Sequence, residues 1–426
     1  MRFERIWGIW VLTSDKMLKA VASLHDVRIN PQKLNEVVEH YSIPAWVSLN
    51  PELVQSNDIE SNKILLPDEE HILVSCLNPS THKVWRVAKN NSNIKRVAST
   101  EWAVVIPHNF EDIDYINSAL ESYPFQFQMN GYVTGTTNSH QRVKKADFLA
   151  LIIPFPDEQT RNKIGELHKL IREKTASNQK ISEYISDYIS VLFRSCFIVF
   201  DPIKAKTEGQ LPYGMDEETA ALFPDSFEDS ELGPIPTGWK IGMMEDVLSR
   251  KQDTTTPGEH LSERYYVPID NIDSKCLTLK NWLPYDDAAS SLILFSKNDL
   301  LFGAMRPYFH KVTIAPFDGI TRSTCFVFKP KVPEIRGFSL CLLNLDSTIR
   351  YSTDSSLGST MPYAIWKNGL ARHKIVLPPS QIMVAFSETI SPFIDKIRDV
   401  GLSARSLSSV RDVILPRLMS GELKVN

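Results

Sequence analysis

Two bends of the chain carry side chains that could bind an anion or form hydrogen bonds with a nucleic acid. Residues 71–84 read HILVSCLNPSTHKV and residues 299–312 read DLLFGAMRPYFHKV, so each gives an apolar run, an X-Pro bend and His-Lys-Val. Base readout needs donors and acceptors at a groove, whereas a phosphate contact needs Lys, Arg or backbone amides. The candidate side chains in the two bends are Asn78, His82, Lys83, Arg306, Tyr308, His310 and Lys311.

The two bends carry different side chains at the positions that could read a nucleic-acid sequence. Asn78 stands opposite Arg306, and Ser80 stands opposite Tyr308, as expected if the bends contact different sequences. The identical His-Lys-Val fits either a shared phosphate contact or a shared structural role. An exposed hairpin bend with a strand beginning at the valine explains the same pattern, so both interpretations stay open.

A second pair of segments combines glycine with hydroxyl side chains. Residues 135–137 read GTT and residues 358–360 read GST. Glycine beside hydroxyls lets backbone amides approach a phosphate, although a tight turn whose hydroxyls cap the next helix explains the composition equally well. The candidates here are Thr136, Thr137, Asn138, Arg142, Ser359 and Thr360.

The chain lacks the motifs of enzymes that would use these residues chemically. It has no Walker A motif, GxGxxG, HExxH or GxSxG. Its five cysteines are scattered without a CxxC pair, which favours buried reduced thiols over a metal or redox site. We therefore expect no catalytic, cofactor-binding or metal-binding residue in this chain.

An internal repeat places these segments in order. YSIP at 41–44 parallels YYVP at 265–268, and LIIPFPDEQ at 151–159 parallels KIVLPPSQ at 374–381. With the bends and the glycine-hydroxyl segments, the shifts range from 222 to 228 residues in constant order. The chain is therefore predicted to hold two copies of one plan, each a sheet-rich mixed α/β part followed by a helical part.

Each helical part shows apolar residues at alternating steps of three and four. A period of 3.5 residues is typical of a narrow seam for another long helix, and the natural partner is the helix of the other copy. Pro392 either kinks the second helix or, with Ser391 as N-cap, lets it restart. The predicted seam residues are Ile164, Leu167, Ile171, Ile181, Ile185, Leu192, Phe386, Ile390, Phe393, Ile397 and Leu407.

Charge separates a connector from the rest. Residues 201–237 hold nine acidic and two basic residues, a net of −7, so the remainder is +3 in a chain of net charge −4. Any nucleic-acid binding must therefore use local patches or be shared with a partner. The predicted organisation is globular parts at 1–155 and 238–378, helical parts at 156–200 and 379–426, and the acidic connector at 201–237.

Three segments together resemble one known family. They are GTTNSHQRVKKADFLALIIPFPDEQ at 135–159, the connector LFRSCFIVFDPIKAKTEGQLPYGMDEETAALFPDSFEDSELGPIPTGWK at 192–240, and SSVRDVILPRLMSGELKV at 408–425. They are similar to the specificity (S) subunit of type I restriction-modification systems. The resemblance implies an α+β fold in which two repeated target-recognition domains are joined by two long antiparallel coiled-coil helices with pseudo-two-fold symmetry.

The resemblance also implies a function without chemistry of its own. Each domain would read one half of a bipartite, asymmetric DNA target. The helices would hold two methyltransferase (M) subunits carrying S-adenosylmethionine, through which restriction (R) subunits using ATP and Mg²⁺ would join. The chain would thus be the non-catalytic subunit of a complex with DNA methyltransferase and endonuclease activities.

Two other functions remain open at this stage. The acidic overall balance is compatible with a solitary S-like adaptor that pairs its helices with another partner and hardly binds DNA. A nuclease or methyltransferase of unfamiliar type is opposed by the missing motifs. No apolar run reaches the ~18 residues of a membrane span, and the amino-terminal segment lacks the pattern of a secretory signal, so we expect a cytoplasmic protein without membrane contact.

Overall fold

The computed structural model describes residues 15–47, 49–133, 141–289, 291–358 and 360–423. Thr136, Thr137, Asn138 and Ser359 lie outside the described residues. The contacts divide the chain into two units, Met1–Lys174 with Leu407–Asn426, and Thr175–Ser406. Among the described residues, no helix is long and apolar enough to cross a membrane.

The part of the first unit that precedes residue 158 contains, among its described residues, three sheets and three short α-helices. The sheets have the strand orders β2-β10-β7-β8, β3-β6-β9-β4-β5 and β1-β11, with the bounds that follow. The strands are β1 Lys16–Met17, β2 Ala22–His25, β3 Arg28–Ile29, β4 Val37–Tyr41, β5 Glu52–Gln55, β6 Lys63–Leu65, β7 His71–Ser75, β8 Val84–Val87, β9 Arg96–Ala98, β10 Trp102–Pro107 and β11 Ile152–Ile153, and the helices are α1 Ile113–Glu121, α2 Tyr123–Gly131 and α3 Lys145–Phe148.

A long helix and the connector follow. Helix α4, Glu158–Arg194, crosses the division between the units and ends in a π-helical turn at Ser195–Val199. Phe200 then adopts a left-handed backbone conformation with φ 61° before the next short helix. The connector elements are α5 Asp201–Thr207, α6 Glu217–Ala221, β12 Phe227–Glu228 and β13 Ile235–Pro236.

The remaining strands of the second unit pair in the same order as those of the first. Their sheets are β15-β23-β20-β21, β16-β19-β22-β17-β18 and β14-β24. The strands are β14 Lys240–Met243, β15 Leu248–Lys251, β16 Thr254–Thr255, β17 Tyr265–Tyr266, β18 Leu283–Pro284, β19 Leu292–Phe295, β20 Leu300–Gly303, β21 Val312–Ile314, β22 Gly319–Arg322, β23 Cys325–Pro330 and β24 Lys374–Leu377. The helices are α7 Met244–Val247, α8 Arg336–Leu343, α9 Asp346–Asp354 and α10 Ser380–Ser409. A π-helical turn at Val410–Ile414 then leads to α11, Leu415–Met419, which belongs to the first unit.

The continuous apolar runs of the bends form strands buried on both faces. In β7, Ile72 and Val74 face one core and Leu73 faces another. In β20, Leu300 and Phe302 face one core, whereas Leu301 faces a second. Alternate residues of a strand point to opposite faces, so a run without polar positions is required where a sheet separates two cores.

The two long helices run antiparallel where they pack in the second unit. The Asn178 side chain donates to Ser403 Oγ at 3.1 Å, and the Tyr188 and Phe393 rings lie 5.0 Å apart. The contact residues of α4 rise along the chain as those of α10 fall. Helix α10 continues through Pro392, so this proline does not end the helix.

Burial along α4 follows a straight helix rather than a strict heptad. Ile164 and Ile171 are buried, but four heptads later it is Phe193 that is 1% exposed, while Leu192 is half-buried. A straight α-helix drifts by about 20° per heptad, so four heptads move the stripe by almost one residue. The other predicted seam residues are buried at Phe386, Ile390 and Ile397 and half-buried at Leu167, Ile181, Ile185, Phe393 and Leu407.

Candidate nucleic-acid interface

The two bends of the sequence form corresponding loops. Residues 76–83 connect β7 to β8, and residues 304–311 connect β20 to β21, in each case at the end of the four-stranded sheet. The strands on either side pair antiparallel, Val74 opposite Val84 and Phe302 opposite Val312. Each loop therefore connects the two strands of a hairpin whose paired residues at the base of the loop are buried.

Each loop is hydrogen-bonded to the segment that follows the glycine-hydroxyl sequence. In the first unit the Asn78 amide donates to Gln141 O at 2.9 Å, and the Val143 amide donates to Cys76 O at 3.0 Å. The structure thus brings the bend beside residues 141–143, which include the candidate Arg142.

The second unit repeats this arrangement with different side chains. The Arg306 amide donates to Pro362 O, and the Ala364 amide donates to Ala304 O, both at 2.8 Å. Thr360, two residues before Pro362, is exposed. Segments that are 56 to 67 residues apart in the sequence therefore form one composite site in each unit.

The third residue of each loop lies in the left-handed backbone region. Asn78 has φ 47° and Arg306 has φ 52°, and each precedes a proline. Asparagine adopts this conformation readily, whereas arginine does so at a cost of about 1–3 kcal/mol. Strain of this kind persists where surrounding hydrogen bonds fix the backbone, as the one from the Arg306 N–H to Pro362 O does.

The shared histidines point inward and anchor the loops. His82 Nε2 lies 2.6 Å from Leu120 O near the end of α1, and burial lowers the pKa of this imidazole. His310 Nε2 lies 3.0 Å from Asn344 O and 2.9 Å from Asn344 Oδ1 at the end of α8. Of the alternatives for the identical His-Lys-Val, this geometry favours the structural role for both imidazoles.

The two lysines bond to backbone carbonyls of their own units. Lys83 Nζ donates to Thr81 O at 3.0 Å and lies 5.9 Å from the centre of the Trp46 ring. Lys311 Nζ donates to Ile269 O at 2.9 Å. Each ammonium keeps further donors, so these bonds orient the lysines without using their hydrogen-bonding capacity completely.

The remaining candidates offer open or exposed groups. Tyr308 is 50% exposed and lies beside Phe309, with their rings 4.9 Å apart. Within the described part of the chain, Asn78 Oδ1 and Arg306 Nε are buried and have no hydrogen-bond partner. Arg142 is exposed, and its guanidinium lies 2.7 Å from Glu101 Oε1. Aromatic, amide and guanidinium groups are those that stack on or hydrogen-bond to nucleic acids.

The titratable residues of the site show no catalytic arrangement. Burial raises the pKa of the Cys76 thiol to about 11 and that of the Cys325 thiol to about 12, so both stay protonated and unreactive at neutral pH. Among the described residues, no group of three or more His, Cys, Asp or Glu side chains could hold a metal ion. The loops present hydrogen bonds and charge, with no nucleophile beside a base.

Sequence reasoning missed two residues of the second site, Arg250 and Tyr363. Tyr363 forms a backbone bridge to Met305 and occupies the position that corresponds to Arg142 in the first unit. Arg250 lies on β15, far from both candidate segments in the sequence. The sequence carried one signal, the spacing of Arg250 from Leu248. Residues two apart in a strand share a face, so an arginine lies on the face that Leu248 buries.

Sequence comparison finds relatives in one class of protein, although no family model matches the chain. The specificity subunit of the type I restriction enzyme MjaIX of Methanocaldococcus jannaschii is 24% identical over 285 residues, which are 64% of this chain and 61% of the relative. The HindI specificity subunit of Haemophilus influenzae is 20% identical over 320 residues, 64% of this chain and 69% of the relative. The match thus spans less than two thirds of the archaeal relative.

Structural comparison extends over nearly the whole chain. The crystal structure of the S subunit of a type I restriction-modification system from M. genitalium has a TM-score of 0.57 at 11% identity and covers 97% of this chain and 98% of that one. It shows that this chain has the mixed sheet-and-helix fold of a known S subunit. The curated relatives confirm the resemblance to type I specificity subunits that the three sequence segments indicate.

Proposed function

We propose that this chain is the sequence-specific DNA-recognition subunit of a type I restriction-modification complex and carries out no chemistry itself. The observation that supports this most directly is the composite site. Two units with the same strand order present the same hydrogen-bonded pair of segments, but with Asn78 and Arg142 in one and Arg306 and Tyr363 in the other. A common scaffold with different contact residues is what two readers of unlike half-sites require.

We further propose that the two globular parts, 1–155 and 238–378, are target-recognition domains related by a pseudo-two-fold axis. The equal strand orders and the antiparallel packing of α4 with α10 support this symmetry. Helical parts 156–200 and 379–426 would act as the spacer, with 201–237 as the connector. A helix of the length of α4 rises by about 55 Å at ~1.5 Å per residue, more than one turn of DNA.

The proposed partners are double-stranded DNA, two methyltransferase (M) subunits and, through these, restriction (R) subunits in the cytoplasm. S-adenosylmethionine, ATP and Mg²⁺ would be bound by those subunits. Tyr184, Tyr188 and Val191 of α4 are exposed at positions i, i+4 and i+7, a spacing that places them on one helix face. An exposed apolar stripe on the spacer supports a partner protein there.

The decisive experiment is methylome sequencing of the host with and without this gene. We expect one bipartite motif to lose its methylation when the gene is deleted. In a strain carrying Arg306→Met, the specificity should relax on one side of the gap only, with a loss of about 1–3 kcal/mol if the guanidinium reads a base. Asn78→Ala is the matched variant for the other side. Unchanged methylation after deletion contradicts the proposal.

A further inference from the structure

Arg250 is a charged residue on a buried sheet face. It lies on β15 directly opposite Phe328 of β23, and Leu248 on the same face is fully buried. Its guanidinium stacks on the ring of Phe326, with Cζ 4.0 Å from the ring centre. This packing holds the planar group in one orientation, because the stem and one face are covered by aromatic carbon.

The charge of Arg250 is not balanced within the described residues. No carboxylate there forms an ion pair with it, no acceptor takes its hydrogen bonds, and its Nε is buried without a partner. Burial lowers the pKa of Arg250, and the group that interacts with it electrostatically is the phenol of Tyr363. A desolvated cation with open donors is costly unless an anion completes it.

The site of Arg250 adjoins the second composite site. Tyr363 is bridged to Met305 of the loop 304–311, and the Arg306 amide is bonded to the neighbouring Pro362. Arg306 Nε also has no partner in the described part of the chain. The guanidinium of Arg250 and the backbone of Arg306 thus adjoin one dipeptide, residues 362–363.

The first unit has an apolar residue at the position that corresponds to Arg250. The residue that corresponds to Arg250 there is Leu24, which packs against the core. The guanidinium of that site comes from Arg142, which is paired with Glu101. The first site therefore neutralises its arginine internally, and the second does not.

We propose that Arg250 binds a phosphate group of the DNA backbone at the half-site read by the second domain, with Arg306 beside it. This inference rests on the proposed function. A phosphate fits better than a base edge because its anionic oxygens offset the desolvated charge, and guanidinium–phosphate bonds can be bidentate. Nothing equivalent is expected in the first domain, so the two half-sites should differ in their dependence on salt.

The test uses the full chain with its methyltransferase partner and a duplex that carries the methylated motif. Binding is measured by fluorescence anisotropy over a series of salt concentrations. Arg250→Met should weaken binding about ten- to a hundredfold and reduce the salt slope by about one unit. Arg250→Lys should keep most of the slope. The control is Arg372→Met, which removes an exposed arginine paired with Glu245 and should leave affinity within about twofold.

A second measurement separates this inference from the proposed function. The thermal midpoint of the chain alone is compared in inorganic phosphate and in chloride at equal ionic strength. Phosphate should stabilise the wild type and Arg372→Met, but not Arg250→Met. Since methionine can pack on Phe326, the chloride midpoint shows whether that variant is folded.

The outcomes distinguish four cases. If Arg250→Met loses both DNA affinity and the phosphate effect, the inference stands. If it loses only the phosphate effect, the site holds a free anion, and the assignment to DNA is overturned. If neither changes, Arg250 is structural and the inference is wrong. Should the wild-type complex bind no duplex, the proposed function fails, while the phosphate comparison still decides whether Arg250 forms an anion site.

Discussion

Replacing Phe193 should reveal which residues join the two long helices. Its ring is almost fully buried and packs against Phe197, Phe338 and Phe386, at centroid distances of 4.9, 5.4 and 5.5 Å. Phe193→Ala removes most of this contact from a close-packed cluster and leaves a cavity, which costs about 3–5 kcal/mol. For a unit of this size, 1 kcal/mol corresponds to about 2–4 °C in the thermal midpoint, so we expect a decrease of roughly 6–20 °C.

The matched variant is Leu192→Ala, one residue away on the same helix. Leu192 is only half-buried at the edge of the cluster, so its truncation should cost about 1–2 kcal/mol, near half the range for a fully buried leucine. Calorimetry and urea unfolding of both variants measure the difference. If Leu192→Ala is as destabilising as Phe193→Ala, the strict heptad read from the sequence describes the seam, and the argument from helix drift is refuted.

Three further predictions concern packing, pH and assembly. A Cβ at Gly165 would lie 2.8 Å from Tyr115 N, so Gly165→Ala should lower the free energy of unfolding by about 1–3 kcal/mol. A Cβ at Gly131 would meet no atom within 4 Å, so Gly131→Ala should not lower it. Equal effects of the two substitutions contradict this. Burial lowers the pKa of His71 to about 4 from 6.5. The neutral imidazole therefore contributes about 3 kcal/mol to the free energy of unfolding, which is fully present above pH 6.5 and is lost as the pH falls towards 4. The free energy of unfolding of His71→Gln should lack this dependence on pH. Residues 1–210 lack α11, which completes the core of the first unit in the full chain. The end of α4 from a second fragment, which packs in the core of the second unit in the full chain, should cover that core instead, so the fragment should form a symmetric dimer and direct methylation to a palindrome. A monomer in light scattering disagrees.

The sheet framework was accessible from the sequence because its signals are local. Runs such as ILV at 72–74 and LLF at 300–302 lack polar positions, and Pro79 and Pro307 end them at corresponding points. This repeated punctuation predicts the same strands in both copies, whereas the order in which the strands pair comes from the structure. The contact between residue 78 and residue 141 was not accessible, because a backbone hydrogen bond between loops leaves no pattern in side-chain types.

The direction in which side chains point accounts for most of what sequence reasoning missed at the site. Histidine in a polar bend is compatible with solvent, yet His82 and His310 turn inward to a helix end. The reverse holds for Arg250, whose strand position indicates burial but whose lack of a carboxylate partner depends on residues distant in the chain. Ion pairing and orphaned donors are tertiary properties, so residue type alone did not identify this arginine.

The path of the chain makes the first unit depend on the last residues. Leu415, Leu418 and Met419 of α11 are buried in the same core as Ile72 and Ile164. These contacts join segments more than 240 residues apart, so the loop between them must close before α11 can contribute. Folding of the first unit should therefore finish slowly and late, after the second half of the chain has been made. The first globular part thus supplies a core that helix α11 completes.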